Sequence, residues 1–314
     1  MSQLTAIRRG PETEPEPGPA AGVAGRGVSR DVTWPAVGAI AWREVVRFFR
    51  QRNRVVGAVA TPVVFWLLLG LGANDVFDLG GRVVPGETAA AGAVGLEGDA
   101  AEGGAEGWAE GGVGYLEYFF PGMVVMVVLF TSIFSTITVI DDRNNGFLQG
   151  VLASPARRWA IVLGKVLGGA AIGALQGLVL LPLGWWLFGW PGLGAVLWAA
   201  GLLGVMAVGL TALGLMFAWP MDSTAGYHAV MNLVQFPMWF LCGAVFPLAS
   251  AGVLKWVMYA NPLTYGYAAL SGVLLGERSV GIGLPWWTTV GLTVVLAGVG
   301  LALASRVAAG RGGS

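Results

Sequence analysis

His228, Asn232 and Gln235 step by four and three residues through the apolar run Tyr227–Leu248, so a helix there carries three hydrogen-bonding side chains on one face. Such a face can bond a neighbouring helix or line a path for a ligand, and Met238 adds a soft apolar contact to it. Thr131 and Ser135, with Ser132, Thr136 and Thr138, form a second polar set, although small hydroxyls can satisfy themselves on their own backbone. Acid–base and metal chemistry need more than this. The chain has one His and one Cys, and no Asp or Glu falls inside an apolar run, so no catalytic or metal-binding set is expected. A G-x-x-x-x-G-K-[ST] phosphate loop does not occur either.

A different kind of chemistry is written into "DDRNNGFLQGVLASPARR", Asp141–Arg158. Phe147, Leu148, Val151 and Leu152 follow i, i+1, i+4, i+5, which makes a narrow apolar face on about two turns of helix. Pro155 ends it, and Arg157 and Arg158 return to a charged environment. Isolated helices below about 12 residues are marginal, so this one needs a receptor, either the membrane surface or another protein. A third set lies upstream. Arg43, Arg47, Arg50 and Arg54 recur at spacings of four, three and four, opposite Trp34, Val37, Ala41, Val45 and Phe48. This is the pattern of a basic amphipathic helix lying in a membrane interface.

The elements that must position these residues follow from composition. With 55% hydrophobic and 11% charged residues, the chain lacks the polar surface of a soluble domain. Several runs exceed the roughly 18 apolar residues that mark a span. Six spans are expected, at Val55–Gly72, Phe119–Ile140, Ala160–Phe188, Leu193–Ala218, Tyr227–Leu248 and Leu284–Ala304. Each is read as a helix because backbone groups in lipid must be paired internally, and Pro62, Pro182 and Pro237 are candidate kinks. The third is longer than a bilayer requires, and Lys165 near its start is expected to reach the headgroups. Placing both termini in the cytoplasm puts Arg8, Arg9, Arg26, Arg30, Arg43, Arg47, Arg50, Arg52, Arg54, Arg143, Arg157, Arg158, Lys165, Arg306 and Arg311 inside, and only Arg82, Lys255 and Arg278 outside. That asymmetry obeys the positive-inside rule. The start is polar and has no signal-peptide core.

The expected organisation is a disordered tail at 1–30, the interfacial helix at 31–54, a six-span domain at 55–305 and a tail at 306–314. Within it, residues 73–117 form an acidic, Gly-rich outer loop without the ligand alternation of an EF-hand. The stretch 247–276 is too apolar for an exposed loop and too interrupted to span, which fits two short helices dipping into the membrane and joined at Asn261–Pro262. Zero net charge argues against a nucleic-acid partner. An ion-coupled secondary transporter is the alternative reading, but mid-membrane carboxylates are missing.

Several motifs together resemble the permease subunits of type-2 ATP-binding-cassette exporters, a family that moves drugs, polysaccharides and lipid-linked substrates. They are Pro121–Gly122 opening the second span, the turn at Gly146 with Ser154, Pro155 and Arg158, Leu163–Gly164–Lys165, and Asn261, Pro262, Thr264 and Tyr265 in "NPLTY". The resemblance covers about residues 35–305, with Asn144 and Asn145 standing where members often carry charged residues. It implies an all-α permease of the cell (inner) membrane working as a homodimer or pseudo-dimer. The 141–158 segment, including Arg143, would be a coupling helix docked on a separate ATPase that holds ATP and Mg, with no cofactor in this chain. The arginine-striped helix would be a pivot and lateral gate. Cargo would pass along the first, second and fifth spans, and apolar walls favour a hydrophobic or amphipathic substrate, as in multidrug efflux.

Overall fold

A computed structural model describes residues 33–310 apart from 52–54, 58, 69–114, 154–156, 190–191, 246–247, 249–250, 277–278 and 280–281. The expected tail at 1–30, nearly all of the acidic loop, Arg54, Ser154 and Pro155 lie outside the described residues. Within them the chain is helical and contains no strand.

The helices in order are α1 (Thr33–Phe49), α2 (Val55–Leu68), α3 (Tyr115–Ser135), α4 (Ile137–Asn144), α5 (Phe147–Leu152), α6 (Arg158–Phe188), α7 (Leu193–Ala218), α8 (Thr224–Trp239), α9 (Lys255–Ala260), α10 (Pro262–Leu275) and α11 (Trp286–Gly310). Among the described residues four stretches are long and apolar enough to cross a membrane: α3 continued through α4, α6, α7 and α11. Exposed indoles mark both ends, with Trp34, Trp42 and Trp159 at one and Trp186, Trp198 and Trp287 at the other, as in the interfacial belts of membrane proteins. The first expected span appears as the shorter α2, and the fifth as the 16-residue α8 prolonged by an irregular turn. The last helix runs on to Gly310, so Arg306 is helical.

Burial fixes the arrangement. Of the most apolar window of α3–α4, 89% is buried, against 17% for α11, so α3 is the centre and α11 the periphery. Helix α6 packs on α1, α3 and α7. It does so through glycines, since lipid offers no hydrophobic driving force and close backbone approach must supply the dispersion energy. A Cβ on Gly173 would clash with Ser132 Oγ, and one on Gly168 would meet Glu44 Cβ at 2.8 Å. Tyr227 joins three helices. Its hydroxyl lies 2.7 Å from Thr136 Oγ1, 3.1 Å from the Ile133 carbonyl and 3.2 Å from the Gly214 carbonyl. It thereby supports the break between α3 and α4 at Thr136.

The end of α8 explains the Asn-Pro-Leu-Thr-Tyr motif. Beyond Pro237 the helix widens into a π turn, Phe240–Ala244, in which Gly243 has φ 97°, a conformation that favours glycine. Carbonyls freed by such a break need partners inside a membrane. Asn261 Nδ2 donates to the Met238 carbonyl at 2.6 Å while its Oδ1 caps Leu263 N–H at 3.0 Å. Tyr118 donates to the Gly243 carbonyl at 2.5 Å. Thr264 Oγ1 and Tyr265 Oη donate at 2.6 Å to the carbonyls of Met258 and Tyr259, which holds α9 against α10.

Candidate functional site

The charged residues converge where α1, α4 and α6 meet. Gly164 and Gly168 let α1 lie directly on α6: a Cβ at Gly164 would stand 2.9 Å from Ile40 Cβ and 3.0 Å from the Val37 carbonyl. That contact brings Arg43 and Glu44 over the end of α4. Arg43 grips Asp142 with both nitrogens, Nη2 to Oδ1 at 2.7 Å and Nη1 to Oδ2 at 3.0 Å. Arg47 adds a bond to Asp142 Oδ1 at 3.0 Å and reaches Asp141 at 3.4 Å. Lys165 donates to Asp142 Oδ2 at 2.6 Å and to Glu44 Oε1 at 2.8 Å. Three cations therefore face three carboxylates, with Glu44, Asp142 and Lys165 all buried. Hydrogen bonds to Asp142 hold the Arg43 guanidinium above its ordinary range, so it stays charged.

Two expectations are corrected here. Lys165 does not reach out to the headgroups but is buried, because Asp142 and Glu44 lie within reach of its ammonium. Arg43 and Arg47 turn partly inward to the same carboxylates; of the stripe, Arg50 stays exposed. Opposite them, Val37 and Phe48 are buried as expected while Trp34 is exposed.

Helix α5 follows a tight turn. Gly146 adopts φ 73°, and its N–H bonds the Arg143 carbonyl at 3.0 Å. The four apolar residues then divide. Leu148 is buried against Val139, Val162, Leu215, Trp219, Ala304 and Ala308, so it belongs to the chain's own core and not to an exposed knob. The turn at Gly146 aims it inward. Phe147 and Leu152 remain exposed and Val151 half-buried. Arg143 also turns inward, donating to the carbonyls of Trp219 and Met221 and to Asp222 Oδ1 at 3.0 Å, so it staples the α7–α8 turn. Arg158 donates to the Ala309 carbonyl at 3.4 Å. A recess of about 350 Å³ opens beside α5, lined by Leu152, Arg158, Pro220 and Ala308 among others.

The polar face expected on the fifth span is split. His228 and Asn232 are exposed, whereas Gln235 is wholly buried with neither amide atom hydrogen-bonded, and Met238 packs on the core. His228 and Thr131 border a cavity of about 440 Å³ between α1, α2, α3 and α8, walled by Phe48, Met126, Phe130, Phe134 and Phe236. The imidazole lies 4.8 Å from the Phe134 ring. Thr131 hydrogen-bonds Gln176, and Ser135 donates to its own helix at the Ser132 carbonyl, 2.7 Å away, so Ser135 does not join the cavity wall. Sequence spacing missed the four Phe residues, which come from three separate elements, and the partners Glu44 and Asp142. The carboxylate of Glu44 inside an arginine stripe was the available signal.

Known proteins resemble this chain along most of its length. Residues 35–275 match the family model described as "ABC-2 type transporter". A putative transport permease, ycf38, of Cyanophora paradoxa is 25% identical over 154 residues, covering 48% of this chain and 53% of that protein. A probable multidrug ABC transporter permease, YbhR, of Escherichia coli K12 is 22% identical over 197 residues, covering 62% of this chain and 53% of that protein. The chain thus spans about half the length of the curated relatives it matches. With a match over 35–275 laid on a helical, membrane-spanning architecture, the chain belongs to the ABC-2 type transporter family and is a membrane protein of permease type.

Proposed function

We propose that this chain is the membrane-spanning subunit of an ATP-binding-cassette exporter, driven by a separate ATPase that docks on α5. The observation that carries the proposal is the division of α5. Leu148 roots it in the chain's own core, while Phe147 and Leu152 stand exposed and Phe147 lies under Arg43 of the ion cluster of α1, α4 and α6. A push on α5 is therefore delivered to the ion-paired junction of three helices. ATP and Mg would bind on the ATPase, and this chain would act as transporter and not as catalyst.

In this reading α2 and α8 cross the membrane with the four long helices, giving six spans. Both termini face the cytoplasm, α9 and α10 re-enter the outer leaflet, and a second permease copy or a close homologue completes the path. The membrane is the cell's inner membrane. The Phe-walled cavity suits a hydrophobic or amphipathic substrate moved outward, in keeping with the Escherichia coli relative's being a probable multidrug permease.

Photo-cross-linking tests this. Benzoylphenylalanine in place of Leu152 should capture a polypeptide whose peptides include a G-x-x-x-x-G-K-[ST] loop, and the same group at the buried Leu148 should not. Capture of lipid alone at Leu152 would favour a purely interfacial α5.

A further inference from the structure

The outer side of α1 carries a second feature, a groove of about 500 Å³ lined by Trp42, Arg43, Val46, Arg47, Arg50 and Gln51. Its charge is unbalanced. Arg43, Arg47 and Lys165 are matched by Glu44, Asp141 and Asp142, and Arg50 adds a fourth cation with no side-chain partner among the described residues. Arg43 and Arg47 are each about one-third exposed, so they face the groove as well as the carboxylates behind them. Trp42 is 68% exposed and Val46 37%, which places apolar surface beside the three guanidinium groups. Exposed indole with arginine at one end of a membrane helix bundle is the chemistry of the headgroup layer.

We infer that this groove is a binding site for an anionic phospholipid, whose phosphodiester sits among Arg43, Arg47 and Arg50 while Trp42 and Val46 cover the upper acyl chain. A single negative phosphate neutralises the one charge that the ion cluster leaves over. A zwitterionic headgroup brings no net charge and gains less. The apolar wall selects a lipid over a free anion, because a soluble phosphate leaves Trp42 and Val46 in water. The site is distinct from the Phe-walled cavity, which lies on the inner side of the same helix at Phe48.

Native mass spectrometry of the full chain, titrated with phosphatidylglycerol and separately with phosphatidylcholine, tests the site. One basic side chain near a membrane surface is worth about fivefold in affinity for an anionic lipid. Arg50→Gln should therefore weaken phosphatidylglycerol binding about fivefold and leave phosphatidylcholine unchanged, and Arg50→Lys should retain the preference. Arg50 is exposed and has no side-chain partner among the described residues, so both variants should elute as folded protein on size exclusion. Arg306→Gln, an exposed arginine on α11, should have no effect. An equal loss in Arg306→Gln, an unchanged preference in Arg50→Gln, or displacement of the lipid by millimolar glycerol phosphate would each overturn the proposal.

Discussion

The guanidinium of Arg43 lies 3.8 Å over the ring of Phe147, while its nitrogens hold Asp142. One side chain thus touches the exposed end of α5, the end of α4 and, through Asp142, Lys165 on α6. The long α1 helix is no passive tether in this arrangement. It is clamped at the point where the exposed short helix meets the bundle.

The clamp should be costly to break on one side. Asp142→Leu leaves Arg43, Arg47 and Lys165 with one carboxylate fewer in a buried site, and removing one partner of a buried ion pair costs about 3–5 kcal/mol. Reversible unfolding in mixed micelles should show that loss. Asp142→Leu combined with Lys165→Met should regain much of it, because the buried charges then balance again. Additive losses in the double variant would show that the cluster is not an electrostatic unit.

Gly168 should be intolerant of any side chain. The Cβ of Ala would stand 3.0 Å from the Ala41 carbonyl and 2.8 Å from Glu44 Cβ. Gly168→Leu should push α1 off α6 by an ångström or more, about the scale of the overlap. Spin labels on Gly38 and Leu167 would register this as a longer, broader distance distribution. An unchanged distribution would mean that α1 is held by the ion cluster alone.

Leu148→Asp should fail in assembly and not in docking. The side chain is 3% exposed and packs with eight other buried residues. An unpaired carboxylate there costs several kcal/mol. The expected result is poor insertion or aggregation on size exclusion, and a monodisperse, stable Leu148→Asp protein would contradict the burial.

Gln235 should be a stability liability. Both its amide atoms are buried without partners, and each unsatisfied polar group costs about 1–3 kcal/mol. Gln235→Leu should raise the unfolding midpoint. If transport falls at the same time, the amide is kept for ligand or for a second copy; if stability falls instead, the amide is paired in the membrane.

Much of this molecule was legible in its sequence, for reasons that differ by element. Helix α7 occupies the expected Leu193–Ala218 because a uniformly apolar run ends only where composition changes. Asn261 was readable as a cap because proline follows it, and the cap is there. What was not legible lay in pairings across distance. Arginines at i, i+4 and i+7 read as facing headgroups, yet Asp142 stands 99 positions after Arg43 and turns two of them inward. The i, i+1, i+4, i+5 pattern marked an apolar face on α5, but spacing alone did not say which half is covered by α6, α7 and α11. Likewise His228 and Gln235 share a helical face by count, yet His228 is exposed and Gln235 buried, which spacing alone does not tell.

In the proposed complex a separate ATPase engages the exposed half of α5. The direct measurement is the affinity of the cognate phosphate-loop ATPase for the permease in nanodiscs, comparing wild type with Phe147→Ala/Leu152→Ala. Buried anchor residues at an interface are each worth about 1–2 kcal/mol or more on truncation. The complex should be about thirty- to a thousandfold weaker, with a parallel loss of transport-coupled ATP turnover and the permease still folded. An unchanged affinity in the double variant would contradict it and leave α5 as an interfacial helix without a partner.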